Sequence, residues 1–229
     1  MWFFSKKTPS FLGIHLAPTA LLCTTLTQAE KKIKVPSFEL HTFKQPVIKN
    51  LAILSMSTLT ALIKNYVQKN NLSGSYTLLS LAHPGIVERI ITLNNEHPQE
   101  HHLQQSEHPQ KLIWDFMNLE HKAGGKKTYY LCGITREQLF HYQLLAIQAA
   151  LPCIAIVPQR AALLKASNYL LANNVQPLSN HAMVQSYIDY AEQKLSQTTL
   201  IEIPHNIEKK QVLESLGLFL IGQEIYEQY

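Results

Sequence analysis

Phe11-Leu12-Gly13-Ile14-His15-Leu16-Ala17-Pro18-Thr19-Ala20-Leu21-Leu22 is the stretch on which the reading of the fold turns. Phe11–Leu16 is a short apolar run broken only by Gly13 and His15. Ala17-Pro18-Thr19-Ala20 can turn, and Leu21–Leu26 is a second run that carries Thr24 and Thr25. Two extended runs around a short turn predict a β-hairpin. Lys32–Phe43 alternates in part, at Ile33, Val35, Phe38 and Leu40, and reads as a third strand. Pro36 marks an edge or a bulge there, because proline cannot donate to a central ladder.

Outward from the hairpin, Ser55–Gln68 repeats apolar residues at Met56, Leu59, Leu62, Ile63 and Val67, which predicts an amphipathic helix stopped by Asn70–Gly74. Tyr76–Leu81 and Ile86–Leu93 read as strands on either side of His83-Pro84-Gly85. The polar stretch 94–110 reads as a loop or a frayed helix. Leu112–Met117 and Thr128–Ile134 are strands. Thr135 then caps a helix over Arg136–Ala150, whose expected core positions are Leu139, Phe140, Leu144, Ile147 and Leu151. Pro152–Val157 is a strand and Pro158 opens a helix to Leu171. Met183–Lys194 is regular but ambiguous, Thr199–Ile203 is a strand, and Gln211–Tyr226 is a closing helix. Gly217 and Gly222 inside that helix predict close approach of another backbone or a ligand, since glycine there costs about 0.5–1 kcal/mol relative to alanine. The order is that of a mixed α/β protein.

The composition sets limits. A chain of 229 residues with 46% apolar and 16% charged residues can fill a real core and is not a disordered tract. The net charge of +4 is scattered over separate lysine pairs, which is poor chemistry for direct nucleic-acid binding. Cys23, Cys132 and Cys153 lie in apolar runs at no metal-ligand spacing, so buried free thiols are expected. No apolar stretch reaches the ~18 residues of a membrane span. Residues 1–29 loosely imitate a signal peptide, with Lys6-Lys7, the apolar run Phe11–Cys23 and a small-residue end at Thr27-Gln28-Ala29. His15 and Pro18 interrupt that run, and Leu22 is too large for a lipoprotein cleavage site before Cys23.

Candidate chemistry is sparse. His97, His101, His102, His108 and His121, near Glu96, Glu100, Glu107 and Asp115, offer ligand types suited to zinc, but no HExxH occurs and Pro98 sits between the first pair. Their neighbours are those of a solvated loop, and no metal is expected. Gly124-Gly125-Lys126-Lys127-Thr128 lacks the earlier glycine of a phosphate loop and precedes a strand, so it reads as a β-turn. No GxSxG and no cysteine beside a histidine marks a nucleophile.

The opening hairpin resembles that of PilM and its FtsA-like relatives in the actin-fold superfamily, where the equivalent stretch reads approximately GIDIGSSSIK. Gly13-Ile14 match. His15 stands where the family has Asp, Ala17 where it has Gly, and Leu22 where it has Lys. Those family residues organise magnesium and phosphate, let the backbone approach phosphate, and supply positive charge. Ser75–Leu93, Trp114–Phe116, the passage from Tyr129 to Ala166, and Leu216–Gly222 are also similar to family segments. Full PilM chains are longer, and no second phosphate hairpin is found around 173–197.

The resemblance implies an actin-like (ribonuclease H-like) α/β fold with an inserted small α+β subdomain and a truncated C-terminal part. The divisions would be a first subdomain at 1–72, an SHS2-like insert at 73–172 and a reduced C-terminal part at 173–229. It implies a non-catalytic pseudo-ATPase with no bound cofactor, its phosphate hairpin degenerate at Gly13, His15, Ala17 and Leu22. The implied partner is the N-terminal tail of a PilN-like bitopic membrane protein, with self-association as a second mode. In the family a groove between the first and inserted subdomains holds that tail, and Ile86, Val87, Arg89, Ile91, Tyr129 and Tyr130 are the expected contacts. The implied place is the cytoplasmic face of the inner membrane, in a pilus, competence or secretion assembly platform. The alternatives are an ATP-binding ATPase of the same machine, and a secreted or periplasmic protein with 1–29 as its signal.

Overall fold

Alternation along the opening hairpin sends its side chains to two opposite cores. The computed structural model describes residues 10–29, 32–83, 85–94, 96–103, 112–121, 126–171, 181–195, 198, 201–202 and 207–227. Strands β1 (Phe11–Ala17) and β2 (Ala20–Ala29) pair antiparallel, Gly13 opposite Thr24 and His15 opposite Leu22. Phe11, Leu22 and Leu26 enter one buried cluster, and Leu12, Ile14, Leu16, Leu21 and Cys23 the other. A sheet buried on both faces is what near-continuous apolar runs build. The hairpin expectation holds. β1 and β2 thus supply both cores and stand at the centre of the sheet.

Strand β3 (Lys32–Thr42) completes the meander. Opposite Leu26 its register shifts, so that Val35 and Pro36 face one residue, and Pro36 is exposed. Pro36 thus sits at a bulge. The short strands β4 (Ile48–Lys49) and β5 (Ala52–Ile53) form a small separate hairpin that periodicity did not announce; its turn places Asn50 and Leu51 at φ of 50 and 63. Helix α1 (Met56–Lys69) buries Leu59, Ile63, Tyr66 and Val67.

Strand β6 (Tyr76–Leu81) returns parallel to β1. A separate antiparallel sheet follows from β7 (Val87–Asn94), β8 (Leu112–His121) and β9 (Lys126–Thr135), in the order β7–β9–β8. A short 3₁₀ turn, Glu100–His102, leads to Leu103, which is fully buried against Tyr129 and Leu131. Helix α2 (Arg136–Gln148) begins on a capping box, Thr135 with Gln138. Strand β10 (Cys153–Pro158) then pairs parallel to β6. Helices α3 (Gln159–Leu170) and α4 (His181–Leu195), the two-residue β11 (Ile201–Glu202) and α5 (Lys209–Glu227) finish the chain. The ambiguous stretch at 183–194 is therefore helix.

The six-stranded sheet runs β10–β6–β1–β2–β3–β11. Helices α3, α4 and α5 cover the face of Phe11 and Leu22, while α1 and α2 cover the face of Leu12 and Ile14. This is an antiparallel meander extended by two parallel strands, the core order of a ribonuclease H-like fold. Tyr76–Leu81 and Cys153–Pro158, placed by the sequence inside the insert, belong to this main sheet; the second sheet spans only 87–135. The closing helix is likewise part of the main body, since it lies across β1, β2, β6 and β10.

Two packing details differ from or sharpen the sequence reading. On α2 the buried residues are Tyr142, Leu145 and Ala146, while Phe140 and Ile147 are 55% and 69% exposed. The helix carries apolar residues on both sides, and its neighbours α1, β5, β9 and β10 chose the side opposite to the expected stripe. At the α3–α5 crossing, a Cβ on Gly217 would lie 1.8 Å from the carbonyl oxygen of Ala162. Gly217 is there because two backbones touch. Gly222 is instead needed by side chains, the ring of Phe11 and Leu78.

Candidate functional site

Among the described residues, polar groups converge at the opening hairpin and apolar groups at a cleft between the two sheets. Along β1, Gly13 and His15 point toward α5. A Cβ on Gly13 would meet Thr24 Oγ1 at 2.8 Å and Leu218 at 3.3 Å. His15, 7% exposed, sets Nδ1 2.8 Å from Glu214 Oε1, and its Nε2 lies 2.9 Å from Ser215 Oγ and 3.3 Å from Thr24 Oγ1. Glu214 is itself buried at 2% exposure. It accepts hydrogen bonds from Ser80 Oγ and, at 2.7 Å, from Gln159 Nε2. Burial by itself pushes the Glu214 carboxyl up; the charge and hydrogen bond of His15 and the bonds from Ser80 and Gln159 outweigh it and hold the carboxyl below its usual range. β1, β2, β6, α3 and α5 are thus tied through one charged cluster. Leu22 is packed in the apolar core and Ala17 is half-buried at the strand end.

Sequence reasoning singled out His15 but missed its partners. The signal was present: Glu214 is the only charged residue in the run Val212–Gly222.

The cleft lies where the second sheet meets the carboxyl ends of β6 and β10. It encloses 210 Å³ and is lined by Leu81, Ile86, Ile113, Trp114, Ile134 and Leu139, among others. Its floor includes Cys132, whose thiol is pushed up to about 12, by burial first and then by the charges of Asp115 and Glu88. Cys153 is raised to about 11, again mainly by burial. These thiols stay protonated and act as small apolar side chains. Among the described residues β8 pairs with β9 and with no other strand, so its outer edge is open, and Ile113 and Phe116 are each 39% exposed along it. The second sheet is fastened to the main body by Glu88 of β7, which accepts from Arg160 of α3 and, at 2.6 Å, from the Tyr130 hydroxyl.

The six expected contact residues divide. Ile86 lines the cleft. Val87 and Ile91 pack around Leu103, as does Trp114 of the cleft rim, and Arg89 donates to the carbonyl of His102 at 3.1 Å. Tyr129 and Tyr130 are core residues, 3% and 1% exposed. Ile134 belongs to the strand Tyr129–Ile134 that was expected near this surface, whereas Ile113 and Trp114 of β8 were not anticipated there. Alternation predicts that neighbours in a strand face opposite ways, but not which face meets the second body.

The histidine-rich stretch shows no ligand set: among the described residues no three His, Cys, Asp or Glu side chains gather as metal donors. His101 and His102 lie with ring centroids 4.0 Å apart and planes tilted by 38°, and His102 Nδ1 accepts from the backbone amide of Gln99. His108 and the turn at Gly124-Gly125 lie outside the described residues.

No protein-family model matches this sequence, and no curated protein matches it. Likeness is found in three dimensions. A chain of a PilM–PilN type IV pilus biogenesis complex superposes with a TM-score of 0.57 over 71% of this chain and 51% of that one, at 14% identity. This chain has an actin-like fold. It spans about half the length of that PilM-complex chain. More distant likenesses are the cytoplasmic domain of EpsL, an inner-membrane component of the type II secretion system of Vibrio cholerae (TM-score 0.43, 11% identity, 67% of this chain and 58% of that), and Thermus thermophilus RuvC (0.42, 11%, 94% and 96%). Within the actin-like fold, the His15–Glu214 cluster sits on the hairpin and the apolar cleft sits beside the inserted sheet. No helix among the described residues is long and apolar enough to cross a membrane.

Proposed function

We propose that this chain is a non-catalytic scaffold of a type IV pilus, DNA-uptake or secretion assembly platform, holding the N-terminal tail of a PilN-like inner-membrane protein in the cleft beside the inserted sheet. The observation that carries this reading is the apolar cleft bounded by Ile86, Ile113, Trp114 and Ile134, on a fold like that of PilM in a PilM–PilN complex. A short extended peptide suits such a site. Its apolar side chains can enter the cleft while its backbone adds to the open edge of β8. The protein would then work at the cytoplasmic face of the inner membrane, where such a tail is presented.

The non-catalytic part of the proposal is supported by the hairpin. Where the family places an acidic residue, this chain has His15, and the space above it is filled by the side chain of Glu214. That carboxylate is already engaged by His15, Ser80 and Gln159. A titration of the chain with a synthetic PilN-like tail tests the proposal. Saturable binding in the micromolar range, lost in Trp114→Ala, is expected; no binding at high micromolar peptide overturns it.

A further inference from the structure

The open edge of β8 runs past a second hollow besides the cleft. Along this strand Ile113, Asp115 and Met117 face the main body, because the residues opposite them on β9, Ile134, Cys132 and Tyr130, pack into its two cores. Ile113 and Asp115 line the cleft. Met117 and Asn118 instead border a separate pocket of 280 Å³, closed on its other sides by α3 and α5. The pairing of β8 with β9 is regular as far as Asn118, and its register shifts just beyond. The regular part of the edge therefore leads from one hollow to the other. Four residues of extended chain, from the level of Ile113 to that of Met117, cover about 14 Å.

The second pocket differs from the cleft in chemistry. Lys165, Asn168 and Tyr169 of α3 and Gln223, Glu224 and Glu227 of α5 surround it. Glu224 is paired with Lys165, so two carboxylates answer one lysine. Asn168 Oδ1 is shielded from solvent and has no hydrogen-bond partner among the described residues. A shielded acceptor is costly until a donor meets it. Tyr169, 44% exposed, offers a ring face on which a cation can rest. Asp115, midway along the edge, adds a carboxylate on the same side of the strand. These groups together favour a positively charged donor, although the whole chain carries a net charge of +4.

We propose that the peptide is gripped at two points along β8: an apolar side chain in the cleft, and a lysine or arginine four residues away in the pocket between α3 and α5. This deepens the peptide reading and rests on it. Strand geometry sets the spacing. Side chains alternate, so residues an even number apart share the body side, and a shift by one turns the basic residue to the opposite face. Pairing with β8 supplies backbone hydrogen bonds, and the two pockets supply the choice of sequence. A partner with an acidic residue at that spacing is rejected, since it would meet Glu224 and Glu227.

The test is fluorescence anisotropy of the full chain with labelled PilN-like tails that are otherwise neutral. A lysine stands four residues before, or four residues after, the leucine that enters the cleft, so both strand directions are covered. In one of the two, lysine should bind roughly tenfold tighter than alanine or glutamate at the same place, and the gain should fade at high salt. Moving that lysine by one residue should erase the gain. Glu224→Gln with Glu227→Gln should erase it as well while leaving Tm unchanged, since both carboxylates are exposed. Equal affinity for lysine, alanine and glutamate, in tails whose binding is still lost in Trp114→Ala, overturns the second point and leaves the cleft standing. No binding by any tail removes both. A lysine preference that survives the one-residue shift or the double glutamine variant places the basic group elsewhere and overturns the proposal.

Discussion

His15 and Glu214 are joined in a buried contact between β1 and α5. Removing one member of a buried ion pair strands the other without water, which typically destabilises by about 3–5 kcal/mol. Glu214→Ala is expected to fall in that range by urea denaturation. The double change His15→Leu with Glu214→Leu should lie above the sum of the single losses, with a coupling of about 0.5–3 kcal/mol. The pair also sets an acid limit. Because the Glu214 carboxyl is held below its ordinary value of 4.5 in the fold, its stabilisation is complete above that value and is lost as the pH falls through the lower folded value. Urea midpoints should therefore drop in that acid window, and drop less steeply in Glu214→Gln. At this scale the sequence singled out a histidine inside the apolar run of the hairpin. It did not show the glutamate that answers it, because the two are brought together only when α5 closes over β1.

At the scale of elements, helix α2 is the instructive case. Its apolar residues fall into two stripes, so helical periodicity alone favoured Leu139, Phe140, Leu144 and Ile147, whereas packing on α1 and the sheet selected Tyr142, Leu145 and Ala146. Ile147→Gln should leave stability within about 0.5 kcal/mol, as for an ordinary surface change. Leu145→Ala should cost about 2–5 kcal/mol through the lost transfer energy and the cavity left behind. Thermal unfolding distinguishes them clearly, since each kcal/mol moves Tm by roughly 2–4 °C for a chain of this size. The α3–α5 crossing gives a parallel ranking. Gly217→Ala drives a methyl into the Ala162 carbonyl and requires one helix to move, costing about 1–3 kcal/mol or more. Gly222→Ala should cost less, because the Phe11 and Leu78 side chains can give way. A larger Tm loss for Gly222→Ala would contradict this account of the crossing.

For the whole molecule, the main expectation is that the two sites are independent: the charged cluster holds the body together while the cleft faces a partner. Ile113→Asp should weaken binding of a PilN-like tail strongly with little change in Tm, since Ile113 is partly exposed. Magnesium ATP should give no thermal shift, because a ligand that binds the native state raises Tm and none is expected to seat on the hairpin; a rise of several degrees would refute the non-catalytic proposal. Much of this architecture was legible in the chain itself. The hairpin at Phe11–Leu26, the bulge at Pro36, the capped start of α2 and the closing helix all follow from local periodicity and turn chemistry, which act between residues a few positions apart. What the sequence could not decide was every choice made between distant segments. That Tyr76–Leu81 and Cys153–Pro158 extend the main sheet, that Tyr129 and Tyr130 are core while Trp114 lines a cleft, and that Glu214 meets His15 depend on which surfaces are left to be covered once the strands have paired, and only the tertiary structure settles that.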